Sequence, residues 1–144
     1  MIIISHRANL NGSNKNLENN PKQILETLRI FDVEIDLWCV NDEIFLGHDK
    51  PEYKINDDFL KSNKNKLWVH AKNIDCIPYL ISTDINWFWH ENDKMTITSK
   101  GNIWCYPGTY VKNGITVIFN DSKKYDIPDY CLGICTDYPT NYRS

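Results

Sequence analysis

The segment Asp32 to Val40 constrains the fold of this chain more than any other. It alternates strictly: Val33, Ile35 and Leu37 fall on one side, Glu34, Asp36 and Trp38 on the other. That two-residue period is the signature of a β-strand. The apolar side predicts a buried face. The opposite side carries carboxylates at successive inward positions, which a plain core face has no use for. Two such carboxylates repel and raise one another's pKa unless a cation lies between them. Their oxygens are natural ligands for a hard divalent ion.

The neighbouring segments supply the rest of a sheet. Ile2-Ile3-Ile4-Ser5 is a short apolar run suited to a parallel strand buried on both faces. A polar loop, Ala8 to Asn19, leads to a helix start with Asn20 as N-cap, Pro21 at the first helical position and Gln23 three residues after the cap. Ile24, Leu25, Leu28 and Phe31 share one face of that helix. Asn41-Asp42 marks a turn, and Glu43 to Leu46 returns as a hairpin strand that delivers Gly47-His48-Asp49. A helical patch over 56–61 precedes the strand Leu67 to Lys72, and 74–81 reads as a short helix disturbed by Pro78. Beyond Asn86, strands at 87–89, 95–98, 103–106, 115–119 and 132–136 follow with no helical pattern between them. Alternating β and α units favour a parallel sheet or barrel, and 144 residues make one domain, residues 1–144.

The function classes narrow by exclusion. Sixteen basic against nineteen acidic residues give a net charge of −3, and no basic cluster tracks a nucleic-acid backbone. The five cysteines are odd in number and lack Cys-x-x-Cys spacing, so buried, reduced thiols are expected rather than a disulfide framework. The N-terminal apolar run stops at Ser5-His6-Arg7, too short for a signal peptide or a membrane span. A cytoplasmic location is the corresponding expectation, with no obligate protein partner evident.

The polar residues at predicted strand ends then form a pattern. Strand one ends in His6-Arg7, the second strand and its hairpin carry Glu34, Asp36, His48 and Asp49, and the third carries His70 and Lys72. In a parallel barrel such ends meet on one face. Two imidazoles share base and acid duties near neutral pH. Arg7 and Lys72 supply positive charge for a phosphate, Arg through a bidentate fork and Lys as a point charge. A cation, two imidazoles and two positive side chains suit phosphoryl transfer better than acyl or hydride chemistry. His90 also ends a predicted strand, where structural and functional readings stand side by side, and Trp104 is a candidate for the pocket lining.

The order His6-Arg7, Glu18-Asn19, Glu34-Ile35-Asp36 and Gly47-His48-Asp49, followed late by Thr136-Asp137-Tyr138-Pro139, resembles the motif series of the glycerophosphodiester phosphodiesterase family. The resemblance implies a compact (β/α)8-type TIM barrel, with several helices missing or shortened in the C-terminal half. It implies His6 and His48 as catalytic acid and base, Arg7 and Lys72 as phosphate-binding residues, and Glu34 and Asp36 as metal ligands. One divalent cation, Mg2+ or Ca2+, would be the cofactor, and a small phosphodiester or phospholipid head group the substrate. Glu18-Asn19 reads as loop support rather than ligand. There are three departures from the family, the first being length, since 144 residues is far below the roughly 250 typical of such barrels. His70 stands where the family pattern places a third carboxylate and is the candidate third metal ligand. Ala8 stands where the family has Gly, which implies a turn without a strongly positive φ. A catalytically silent phosphate-binding module and an interaction protein with exposed aromatics are the rival readings.

Overall fold

In the computed structural model, which describes all 144 residues, the chain forms ten strands and three short helices. In order they are β1 (Ile2–His6), α1 (Pro21–Thr27), β2 (Asp32–Val40), β3 (Glu43–Leu46), β4 (Tyr53–Ile55), α2 (Asp57–Asn63), β5 (Leu67–Ala71), α3 (Cys76–Ile81), β6 (Trp87–Phe88), β7 (Met95–Ile97), β8 (Ile103–Cys105), β9 (Gly114–Val117) and β10 (Gly133–Thr136). A single 3-10 turn, Pro139–Tyr142, closes the chain.

The expected (β/α)8-type TIM barrel is not what forms. The strands make one curled, mixed sheet, a half-barrel. Seven strands run parallel in the order β8-β9-β10-β1-β2-β5-β6, while β3, β4 and β7 pair antiparallel. No ladder joins β6 to β7 or β8. Loop hydrogen bonds span that gap instead, from Ser99 N–H to the Trp87 carbonyl (2.7 Å) and from Trp87 N–H to Ser99 Oγ (2.9 Å). The physical reason lies in the second half of the chain. No α-helix forms between the strands after Asn86, not even in the long 118–132 connection, so nothing there covers a closed parallel barrel.

Local chemistry sets the elements that carry the site. Asn20 caps α1, its side chain accepting from the N–H groups of Lys22 and Gln23. Ile24 is fully buried under the sheet, and Leu28 and Phe31 follow it into the core just past the helix end. Leu25, expected on the same face, points to solvent. Asn41 and Asp42 both take positive φ (51° and 63°), the backbone that a two-residue hairpin turn between right-twisted strands requires. Gly47 follows β3 because a Cβ there would lie 1.9 Å from the Lys50 carbonyl oxygen. That close approach folds the 47–50 turn back on itself and presents His48.

The turn after β1 corrects another expectation. Ala8 has φ +67°, and Arg7 before it has φ +55°. The left-handed region costs a non-glycine residue roughly 1–2 kcal/mol. It is held here because Ala8 is fully buried and Arg7 N–H donates to the Glu34 carbonyl at 2.9 Å. Strain of this kind persists where the surroundings over-determine it.

Two layers occupy the inside of the curl. Ile4, Trp68, Phe88, Trp104, Ile115 and Cys135 form a buried cluster, with Phe88 stacked on Trp104 at 4.5 Å between centroids. Two residues further along the parallel strands the inward positions become polar. The larger apolar core lies on the outer side, between the sheet and the helices, and takes Val33, Ile35 and Leu37 from β2. The alternation of β2 therefore separates a packed face from a charged one. No helix is long and apolar enough to cross a membrane.

Candidate active site

The polar layer opens into a cavity of about 510 Å3, lined by His6, Arg7, Glu34, His48, His70 and Lys72, with Phe88, Trp89, His90, Trp104 and Tyr106 as an aromatic wall. All seven residues singled out from the sequence thus meet around this one space, with Asp36 beneath them, 1% exposed. Trp104 does line it. A larger cavity of about 870 Å3 lies between the β2–β3 hairpin and α3. It carries neither imidazole nor guanidinium.

Parallel register brings these groups together. His6 pairs with Glu34 across β1 and β2, and Asp36 pairs with His70 across β2 and β5. Like-facing positions on adjacent parallel strands put their side chains side by side. Donor atoms of Glu34, Asp36 and His70 consequently lie within 4.8 Å of one another, a group that could hold a metal ion. His70 Nδ1 is 3.3 Å from Asp36 Oδ1 and 4.0 Å from Glu34 Oε1. His48 Nδ1 is 3.5 Å from Asp36 Oδ2. Arg7 Nε is 3.4 Å from Asp36 Oδ2, and one of its terminal nitrogens is 3.5 Å from Glu18 Oε2.

The two buried carboxylates are driven apart in proton affinity. Burial and the Asp36 charge push Glu34 well above the usual carboxylate range. Burial pushes Asp36 up as well, but the adjoining His48 and His70 rings and the Arg7 charge outweigh it and hold Asp36 well below. Glu34 Oε2 is buried with no hydrogen-bond partner, although His6 Nε2 stands 3.8 Å away. A buried acceptor left open costs about 1–3 kcal/mol, and such orphans mark places where a ligand completes the set.

Several supporting residues were not singled out as functional from the sequence. Asp137 Oδ1 sits 2.9 Å from His6 Nδ1. Burial raises Asp137, but the bond to His6 and its charge bring it below the usual carboxylate value, with Asn9 and Arg7 assisting. An ionised carboxylate only accepts, so His6 Nδ1 carries a hydrogen and Nε2 is the ring nitrogen that faces the cavity. Asn9 donates to Asp137 (2.7 Å) and to Glu18 (3.2 Å), joining the first loop to the last strand end. Asn19, in a left-handed conformation (φ 58°), donates to Asp36 Oδ2 and accepts from Asp36 N–H, both at 2.9 Å. The Glu18-Asn19 pair thus serves as hydrogen-bond support. Asp137 stands in a quoted motif, but its pairing with a residue 131 positions away has no local signal.

Asn19→Ala removes both bonds and leaves the buried Asp36 N–H unpaired. The expected cost is about 1–3 kcal/mol, read as a lower Tm and denaturant midpoint with an unchanged m-value.

Cysteine chemistry has no place here. All five thiols are free and buried. Burial raises each of them, Cys76 to about 12 and Cys135, beside the carboxylates, well above the usual thiol value. None is a thiolate nucleophile at neutral pH.

No protein-family model, no curated protein and no solved structure matches this chain. The likeness to glycerophosphodiester phosphodiesterases rests on the motif residues alone.

Proposed function

We propose that this protein hydrolyses a phosphodiester at the cavity above Glu34 and Asp36, with one divalent cation held by Glu34, Asp36 and His70. The observation that carries the reading is the adjacency of two prepared groups: an imidazole fixed by a carboxylate, and a three-donor cluster with an unpartnered buried oxygen. The donor set fits a cation on charge as well. Glu18, Glu34, Asp36 and Asp137 all act on Arg7, and with Lys72 facing Glu34 only two fixed cations oppose four carboxylates. When bound, the cation supplies charge stabilisation for phosphate oxygens.

The remaining steps belong to side chains of this chain. His6, its Nδ1–H anchored on Asp137, presents Nε2, which takes the proton from the attacking hydroxyl, whether water or a neighbouring substrate hydroxyl. His48 stands more loosely, its Nδ1 3.5 Å from Asp36 Oδ2 and its side chain 38% exposed at the rim, and it gives a proton to the leaving alkoxide. Lys72 and Arg7 orient the phosphate, Lys72 as the less committed charge because Arg7 already contacts Asp36 and Glu18. The aromatic wall excludes water from one side and gives an apolar surface to the substrate's ester group.

The test is a turnover screen of the purified protein on glycerophosphodiesters, lysophospholipids and a chromogenic aryl phosphodiester, with a matched phosphomonoester as control, in Mg2+, Ca2+, Co2+ and Zn2+. Diester cleavage well above monoester cleavage is expected. Saturable binding of diesters without turnover under every cation would instead favour a silent binding module.

A further inference from the structure

We propose that the cation of this site is an imidazole-favouring transition dication, of the Fe2+, Co2+ or Zn2+ class, in place of Mg2+ or Ca2+. The inference rests on the metal dependence proposed above and narrows it to a class of ion.

His70 carries the argument. Its Nε2 lies 3.0 Å from the His90 carbonyl oxygen. A carbonyl only accepts, so Nε2 bears a hydrogen, and Nδ1 is the ring atom that faces Asp36 Oδ1 and Glu34 Oε1. The ring plane is set by stacking on Phe88, with centroids 5.0 Å apart and planes 14° from parallel. Nδ1 is thereby held where a cation between the two carboxylates would meet it, within the 4.8 Å donor group of Glu34, Asp36 and His70. A second ring N–H tied to a backbone carbonyl is also how metal-bound imidazoles are held in orientation. The unpartnered, buried Glu34 Oε2 points independently to a missing ligand at the same place.

The donor set then selects the ion. It offers one imidazole nitrogen and two carboxylates within 4.8 Å. Ca2+ takes six to eight oxygens, and Mg2+ holds a near-octahedral oxygen shell with several waters. Neither gains from a nitrogen at the third position. Imidazole suits Fe, Zn and neighbouring first-row ions, whose affinity for nitrogen-containing sites rises along the series. Three protein donors with positions left for water and substrate match an open catalytic site of such an ion.

The experiment uses Co2+ as probe against Mg2+ and Ca2+, by calorimetry on the metal-stripped wild type and on His70→Glu. Transition ions outcompete Mg2+ at most sites, so the informative quantity is the change in the Co2+/Mg2+ affinity ratio. That ratio is expected to fall in His70→Glu by at least the roughly 10–100-fold typical of losing even an outer-shell partner. A second readout needs no variant. Proton NMR of the Co2+-loaded wild type is expected to show one strongly shifted, exchangeable resonance, the His70 Nε2–H of a ring bound through Nδ1. An unchanged ratio, or the absence of that resonance, would overturn the proposal while leaving a phosphodiesterase served by Mg2+ or Ca2+ intact. Failure of every divalent cation to bind would overturn this proposal and the metal dependence together.

Discussion

Replacing His6 or His48 with alanine is expected to lower phosphodiester turnover by roughly 10²–10⁴-fold, the usual loss for one acid–base group, while the circular dichroism spectrum stays unchanged. The two variants should differ in origin. His6 is held by Asp137 at 2.9 Å, so Asp137→Asn should reproduce much of the His6→Ala loss without touching the substrate. An asparagine can offer its N–H to Nδ1, which favours the tautomer with the hydrogen on Nε2 and blocks the base. The loss should fall on kcat, with KM little changed, because a tautomer shift leaves the binding groups in place. The carboxylate nearest His48 is the buried Asp36 at 3.5 Å, so mutation of the exposed Asp49, 3.6 Å from its Nε2, should matter little. Near-wild-type kcat in either histidine variant would break the acid–base assignment.

Glu34→Gln is expected to make the metal-free protein more stable at neutral pH while nearly abolishing cation binding. Burial and the Asp36 charge raise the folded proton affinity of Glu34 well above that of an unfolded glutamate, near pH 4.3. Its stabilising contribution is therefore complete below about pH 4.3 and is lost as pH rises through the higher folded value. The direction follows from linkage, since the folded state binds the extra proton. Asp36 runs the opposite way. Its folded value is depressed, so its contribution is present above about pH 3.9 and lost as pH falls through the folded value. Glutamine mimics the protonated form at every pH. The variant's advantage should thus be absent in acid and grow toward neutrality, by about 1.4 kcal/mol for each tenfold change in proton affinity. Thermal melts of both metal-free proteins from pH 4 to 8 measure it, a span running upward from the unfolded carboxylate value. A variant less stable than wild type at pH 7 would show that Glu34 is satisfied without a cation.

The part of this arrangement legible in the sequence is the part governed by short periods. The two-residue alternation of β2 showed which side is packed and which is charged, and the structure keeps Val33, Ile35 and Leu37 outward and Glu34 and Asp36 inward. Asn20-Pro21 and Asn41-Asp42 act through neighbouring backbone alone, so cap and hairpin were readable. What depended on distant contacts was not. Ala8 adopts φ +67° because its surroundings force it, against the preference of its side chain. Strand β4, three residues long, is too short to show a period. Barrel closure needed helices after Asn86 that the chain lacks, and the sheet stops at β6 and β7. The His6–Asp137 and His70–His90 contacts cross 131 and 20 positions respectively, and only the folded chain reveals them.

Phosphodiester turnover of metal-stripped protein, before and after a divalent cation is restored, tests the central claim most directly. Activity at the level of the no-enzyme control after exhaustive chelation, returning in proportion to occupied cation sites, is the expected result. Full turnover by protein shown to be metal-free would contradict it, and would leave His6, His48, Arg7 and Lys72 to carry the chemistry alone.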